Sequence, residues 1–484
     1  MSIKDLDPKA VWKNFSALNA VPRPSKKEER VIEFMVKFGK DLGLETHTDR
    51  VGNIIIKKPA TAGMEDRQTV ILQSHVDMVH QKNNDTEFDF DTQGIEMLIE
   101  DDWVTANGTT LGADNGIGVA AIMGVLAAYD IEHPAIEAMF TVDEETGMTG
   151  AKELDPSFYD GTILLNLDTE EDDEISIGCA GGIDTNTTYN YEELYSIEDV
   201  STYKIEINGL LGGHSGMDIH KGHANANKLM VRFLYEAEEQ MDLMLHSFEG
   251  GGLRNAIPRE AVAVVSVLTM NDKAFKEYIA KTKAEFQSEY GPIEKNLSIT
   301  ASEVPVPDKM VAGHEFRPIL KALYALHNGV YKMSLNFEGL VETSSSLAQV
   351  IIKDGVFTTK SLQRSSVEST KRDVANTIKA AFELLGCEVE QTGDYPGWEP
   401  NPDSPILKVI AEMYKEKFKE EPRVLAGHAG LECGILGKHL PEVDMISFGP
   451  TIRNAHSPDE CVQISSVAKF WDFFLDILKN IPKK

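Results

Sequence analysis

Residues 69–77 read Thr-Val-Ile-Leu-Gln-Ser-His-Val-Asp. The apolar run from Thr69 to Gln73 is too short for a helix, and it reads as a buried strand. His75 and Asp77, side chains able to hold metals and protons, follow at its carboxyl end. The same arrangement recurs along the chain. Asp143, Glu144 and Glu145 follow a strand candidate at 135–142, Asp168 follows one at 162–167, and His456 comes shortly after one at 445–448. Between them, Leu111-Gly-Ala-Asp-Asn-Gly116 opens a stretch, 117–129, that is apolar nearly all the way round, as a buried helix is. An amphipathic stretch at 28–42 and a further strand at 53–57 complete an alternation that predicts an α/β sheet with helices on its faces. In such sheets ligands collect outside the carboxyl ends of the strands, so these acids and histidines, with Asp114 at the head of the buried helix, are expected in one crevice.

A chain of 484 residues exceeds one ordinary core and predicts two domains. The glycine cluster at 178–182 and the polar, tyrosine-rich stretch 185–202 break the alternation and suggest a crossing between them. From Tyr203 to about Gly393 the pattern is strand, helix (223–241), strands (243–248 and 261–269) and helix (272–289). It then repeats with a strand near Leu297, a helix at 318–326, two strands between 338 and 359 and a helix at 367–385. Tyr395-Pro-Gly-Trp-Glu-Pro-Asn-Pro402 reads as the return crossing. A helix at 404–418, a glycine-rich loop at 427–434 and a last helix at 465–481 then finish the first sheet. The expectation is a discontinuous catalytic domain, residues 1–186 and 394–484, and an inserted α+β lid domain of double length at 187–393.

Composition narrows the function. The formal net charge is −31, from 78 acidic and 47 basic residues, a field that repels nucleic acid and anionic membranes. The first ten residues carry Lys4, Asp5, Asp7 and Lys9 where a secretory signal needs an apolar run, and no stretch has the length of a membrane span. A cytoplasmic protein is expected. Cys179, Cys387, Cys433 and Cys461 lack any paired spacing and predict neither a disulfide framework nor a zinc knuckle.

Imidazole and carboxylate together suit zinc, and a hydrolytic metal pair sits about 3.5–4 Å apart around a shared group. Any one strand-end acid is more often a solvated turn or helix cap than a ligand. Here Ser74-His75-Val76-Asp77, Gly112-Ala113-Asp114-Asn115-Gly116, Asp143-Glu144-Glu145-Thr146-Gly147, Asn166-Leu167-Asp168 and His456-Ser457-Pro458-Asp459-Glu460 occur in order. The set resembles the di-zinc peptidase family that includes carnosinases, aminoacylase and carboxypeptidase G. The resemblance implies two zinc ions per chain, with cobalt or manganese as substitutes. Asp114 would bridge them, His75 and Asp168 would complete one site, and Glu145 and His456 the other. It also implies Glu144 as general base for a water activated at the metals, and Asp77 as the carboxylate that orients His75.

Gly212-Gly213-His214-Ser215-Gly216, Leu253-Arg254-Asn255-Ala256-Ile257-Pro258, Gln363-Arg364-Ser365-Ser366 and 427–434 (Gly-His-Ala-Gly-Leu-Glu-Cys-Gly) narrow the resemblance to the branch of the family that cleaves Xaa-His dipeptides. That branch implies a closing lid, with His214 as the oxyanion partner, Asn255 and Arg364 on the substrate carboxylate, and Gly430 at the substrate. Arg suits this task because its fork binds a carboxylate bidentately. His220, His223 and His428 are read as ordinary polar residues. An N-acyl amino acid deacylase or a carboxypeptidase of the same family would share every metal ligand. A non-catalytic metal or peptide binder would have no need of Glu144 beside Glu145. A small dipeptide is the expected partner, and monomer or homodimer is left open.

Overall fold

A computed structural model describes residues 2–484. Its contacts divide the chain into two units: one of 1–178, 398–426 and 431–484, the other of 179–397 with 427–430. The expected boundaries at 186/187 and 393/394 therefore shift outward, and a short piece of the glycine-rich loop joins the second unit. Hydrogen bonding explains both changes. Gly181–Asn190 is a strand paired along its whole length with Val356–Ser365, and Ala180 N–H donates to the carbonyls of Gly427 and Ala429 at 3.0 and 3.1 Å.

The first unit is built on an eight-stranded sheet in the order Glu45–Thr48, Ile54–Lys58, Ile136–Thr141, Val70–His75, Ile163–Asn166, Asp444–Ser447, Glu174–Cys179, Arg423–Gly427. The four strands beginning with Ile136–Thr141 run parallel, so their carboxyl ends open on one edge. The two strands before them, and Glu174–Cys179 after them, pair antiparallel with their neighbours. Val70–His75, Ile136–Thr141 and Ile163–Asn166 are buried throughout, as continuous apolar runs covered on both faces must be. Ala113–Ala127 is a helix with almost no polar face, and it is buried from Asn115 to Leu126. The helix Lys9–Asn19 and the small four-stranded sheet of Met97–Glu100, Trp103–Ala106, Ile452–Arg453 and Cys461–Gln463 are additions to the sequence reading. No helix of the described residues is long and apolar enough to cross a membrane.

The second unit is built on one continuous antiparallel sheet, which Gly329–Met333 joins beside Val341–Lys353 off the main path. Its order is Ser298–Glu303, Val200–Asn208, Ala261–Leu268, Met244–Gly251, Val341–Lys353, Val356–Ser365, Gly181–Asn190, Glu388–Tyr395. The repeat is present, but its composition differs from the expected one. Each half is strand–helix–strand–strand–helix–strand. The first strand of the second half is Gly181–Asn190, so the entire first half is inserted between that strand and the helix Gly313–Ala325. The sequence hides this strand because its inward positions are threonines. Thr185 Oγ1 donates to Gln363 Oε1 at 2.6 Å and Thr187 Oγ1 bonds Thr359 Oγ1 at 2.7 Å, so polar residues that read as a loop are buried and paired. Phe233, Phe248, Phe275, Phe316 and Phe357 anchor the core under this sheet.

The halves join where Met244–Gly251 pairs with Val341–Lys353. Gly251 has φ +73°, and a Cβ there would run into the Ala348 carbonyl oxygen. Gly251→Ala should destabilise this junction by about 1–3 kcal/mol. Amide hydrogen exchange should show faster exchange in Met244–Gly251 and Val341–Lys353 and unchanged protection in Val70–His75; uniform protection in all three would contradict the account.

Candidate metal centre

Four neighbouring parallel strands deliver the acids and imidazoles of the first unit. Val70–His75 ends on His75, which is buried, and the other three lead into Asp143–Glu145, Asp168 and the loop of His456. Asp143 and His456 adopt left-handed backbone, with φ of 55° and 66°. At Asp143 this turns the chain abruptly from the strand into the single helical turn Glu144–Gly147. The side chain of Asp143 is fastened by Lys26, Thr146 and Thr149, which sustains the unfavourable conformation. The freed amides of Glu144 and Glu145 donate to Asp77 Oδ1 and Oδ2 at 3.0 and 3.3 Å. Asp77 also accepts from Ser25 Oγ at 2.7 Å and lies 3.4 Å from His75 Nδ1. Burial alone would raise the Asp77 carboxyl, but these bonds hold it below the usual range.

Asp114 divides its two oxygens between the histidines: Oδ1 is 3.1 Å from His75 Nε2 and Oδ2 is 3.1 Å from His456 Nε2. Asp168 Oδ1 lies 3.6 Å from His75 Nε2, and Glu145 Oε2 lies 3.0 Å from His456 Nε2. The five expected ligands thus come together as two groups that meet at Asp114. Glu145 Oε1 and Asp168 Oδ1 are buried with no hydrogen-bond partner among the described residues. Orphaned buried acceptors are rare, and carboxylate with imidazole is a donor set for divalent cations, so these residues fit a dinuclear centre. A second acidic group, Glu28, Asp77 and Asp143, is equally compact. The carboxylates of Asp77 and Asp143 are already taken up by the bonds just described, so it offers a cation little.

The electrostatics follow from the crowding. Hydrogen bonds to Asp114 and Glu145 push His456 up to about 11. For His75, burial acts to lower the pKa, but Asp168 and the bonds to Asp114 and Asp77 outweigh it and raise it well above the ordinary value. Burial drives the Glu144 and Asp168 carboxyls well upward, and Glu170, two residues beyond Asp168, is pushed up to about 8 by the same cause.

Sequence reasoning missed the residues beneath the centre. Glu460 accepts the amides of Leu111, Gly112, Ala113 and Asp114 at 2.8, 2.9, 2.7 and 3.3 Å, and so fixes the turn that presents Asp114. Arg23, fully buried, donates to the carbonyls of Val76, Asp77 and Gly112 and ties the end of the His75 strand to that same turn. Glu460 stood within the His456 motif, but its role is visible only once the amides it collects are brought to it. Glu432, also within a quoted motif, accepts from Gln73 Nε2 and Thr141 Oγ1, both at 2.7 Å.

The second unit carries His214, Asn255, Arg364 and Gly430. His214 Nδ1 accepts the amides of Gly216 and Met217 at 3.2 and 3.0 Å, which leaves the proton on Nε2. Burial and the nearby Arg364 lower its pKa, so the ring is neutral. The chain at 214 pairs with 256, and Ser215 N–H donates to the Asn255 carbonyl at 2.7 Å, while the Asn255 residue is exposed. Arg364 is buried, its Nη1 donates to Tyr395 Oη at 2.9 Å, and its Nε has no partner among the described residues. Asp184, the acid close to it, is engaged by Arg254. A Cβ on Gly430 would lie 3.1 Å from the Tyr395 ring that steadies Arg364. His428, read as an ordinary polar residue, is buried here with its Nε2 2.7 Å from Ser344 Oγ.

An α/β sheet that gathers these imidazoles and carboxylates at its strand ends, with a free carboxylate beside them, is the arrangement of a metal-dependent hydrolase. The chain belongs to peptidase family M20/M25/M40, whose sequence profile matches residues 71–480. It is 42% identical over 482 residues to the cytosol non-specific dipeptidase of Escherichia coli K12, covering 100% of this chain and 99% of that one. The crystal structure of aminoacylhistidine dipeptidase from Vibrio alginolyticus superposes with a TM-score of 0.95 at 42% identity, over 100% of this chain and 99% of that one. Aminopeptidase PepT from Bacillus cereus shares the fold at a TM-score of 0.56 and 17% identity, over 98% and 99% of the respective chains.

Because their carboxylate neighbours raise the pKa of both imidazoles, protons compete with an entering metal ion for His75 and His456. Titrating metal into metal-free protein near pH 7, in buffers of different ionisation enthalpy, should register release of protons on binding; binding without proton release would contradict the raised imidazole pKa values. Affinity should go on rising with pH above the ordinary histidine range, since a raised pKa extends proton competition upward. Asp114→Ala should weaken binding of both ions together; retention of one at full affinity would show that Asp114 is not shared.

Proposed function

We propose that this protein is a cytoplasmic di-zinc dipeptidase that hydrolyses free dipeptides and favours Xaa-His sequences. The observation that carries the reading is Glu144. It is a carboxylate enclosed beside Glu145, its backbone is fixed through Asp77, and its side chain accepts no hydrogen bond from any described residue. A protein that merely stored metal would have no use for such a group. The names of the two relatives at 42% identity support the substrate class, and one of them supports the compartment.

His75 and Asp168 would hold one zinc and Glu145 and His456 the other, with Asp114 between them; cobalt or manganese suits the same ligands. The ions, when bound, supply positive charge that polarises the peptide carbonyl and acidifies water. The chain's own groups do the rest. Glu144 takes the proton of the attacking water and returns it to the leaving nitrogen. Asp77 holds the His75 ring through Nδ1 and keeps Nε2 free for its ligand role. His214, neutral and protonated on Nε2, is suited to donate to the carbonyl oxygen as negative charge builds there. Arg364, a buried guanidinium with an unfilled donor, suits the substrate's terminal carboxylate, with Asn255 as second donor and Gly430 leaving room for the Tyr395 ring.

Glu144→Gln should keep the full metal content, by elemental analysis, and lower kcat by about 10³-fold or more, since it removes a base and not a ligand. Loss of metal in parallel with activity would assign Glu144 to the ligand set instead. Arg364→Ala should lose about 2–4 kcal/mol of transition-state binding, measured as kcat/KM, for a dipeptide with a free carboxylate, and little for its C-terminal amide. Equal losses on both substrates would make Arg364 a support for the fold.

A further inference from the structure

Outside the five proposed ligands, two carboxylates of this region accept no hydrogen bond from any described residue: Glu144, which serves as base in the reading above, and Glu170. The other acids of this region are engaged. Asp114, Glu145 and Asp168 face imidazoles, Glu460 clasps four amides, and Glu432 is bonded by Gln73 and Thr141. Glu170 is partly buried two residues beyond Asp168, its carbonyl is bonded to the segment that leads to His456, and its carboxylate lies within electrostatic reach of Asp114, His456, Glu460 and Glu145.

The surroundings keep it free. Arg453 is the cation at hand, yet its guanidinium donates to the carbonyls of Ile452 and Glu170 at 2.8 and 3.5 Å and pairs with Glu171 Oε2 at 2.9 Å, leaving the Glu170 carboxylate aside. Adjacent acids thus part: Glu171 is taken up by Arg453 and Glu170 remains inside. The backbone is fixed in this arrangement. The Glu170 carbonyl accepts the Ile452 amide at 3.1 Å, Thr169 Oγ1 bonds Ser447 Oγ at 2.7 Å, and Gly449 packs so closely on the Thr169 carbonyl that a Cβ could not be accommodated. A preorganised carboxylate that its neighbouring arginine does not neutralise is suited to a small cation brought by the substrate.

The geometry points to Glu170 as the anchor for the free ammonium group of the substrate's first residue. This rests on the dipeptidase reading and completes it. Arg364 accounts for the carboxylate end of a dipeptide, and no residue assigned so far accounts for the amine. An ammonium group lies two bonds from the scissile carbonyl carbon, so its anchor belongs beside the metal ligands, where Glu170 lies. An ion pair formed at that distance contributes to orienting the carbonyl, and a blocked amine forfeits it.

The test compares Ala-His, N-acetyl-Ala-His and β-Ala-His on the zinc-loaded enzyme and its variants. Glu170→Gln should raise KM for Ala-His by about 10–100-fold with a smaller change in kcat, leave the slow cleavage of N-acetyl-Ala-His unaltered, and retain zinc. Glu171→Gln should change neither rate. Glu170→Asp withdraws the carboxylate by one methylene, so it should shift the ratio of kcat/KM toward β-Ala-His, whose amine reaches one methylene further. That shift tests the inference even if the Gln variant folds poorly. Equal losses on the free and acetylated dipeptides, or an unshifted ratio in the Asp variant, would overturn the role of Glu170 while the dipeptidase reading stands. Wild-type enzyme that cuts both dipeptides alike would overturn that reading, and this inference with it.

Discussion

One carboxylate, Asp114, is shared between two imidazoles, and the surrounding structure is arranged to hold it there. Its two oxygens face His75 and His456, which approach from strands far apart in sequence, so the strand order, the turn at 111–114 and the loop before His456 must all agree. Glu460 supplies the agreement from below by collecting the four amides of the turn, and Arg23 locks the turn to the end of the neighbouring strand. Neither residue touches the reacting groups. Both are charged and enclosed, which a fold tolerates only where their hydrogen bonds are nearly complete.

The same logic separates acids that hold the structure from acids left uncommitted. Asp77, Asp143 and Glu460 are saturated with donors and behave as fixed struts, whereas Glu144 stands with its oxygens uncommitted a few atoms away. Such contrast within one cluster is a physical signature of function, because leaving a buried carboxylate without donors is costly unless a ligand supplies them. In the second unit Arg364 shows the same contrast against Arg254: one guanidinium has an open donor, and the other is paired with Asp184.

How far the sequence could be read depended on the range of the interaction concerned. His75, Asp114, Glu145, Asp168 and His456 were legible because each sits at the end of a short apolar run or at the head of a helix, a local pattern. The α/β class followed from the same runs. Gly181–Asn190 was not legible as a strand, since its buried threonines are satisfied only by Gln363 and Thr359. The loop 427–430 was placed with the wrong unit because its partners, Ala180 and Ser344, are distant in sequence. His428 read as an ordinary polar residue for the same reason: its burial is a property of the assembled fold. Apolar periodicity reports what an element buries, and it is silent on polar groups that find each other across the chain.

The nesting of one half of the second unit inside the other bears on how the protein is made. A ribosome delivers residues in order, and Gly181–Asn190 emerges long before Val356–Ser365 and Glu388–Tyr395, the strands that flank it in the sheet. Residues 200–303 form a contiguous half with its own strands and helices, so this part can close while synthesis continues. Gly181–Asn190 must wait, and the sheet around His75 is completed later still, because Asp444–Ser447 is among the last strands translated. Completion of both sheets therefore departs from amino-to-carboxyl order, and the nascent chain carries unpaired strand edges through much of its synthesis. The edge of Gly181–Asn190 is Thr-rich at 185–188, where low hydrophobicity limits misassociation before its partners arrive.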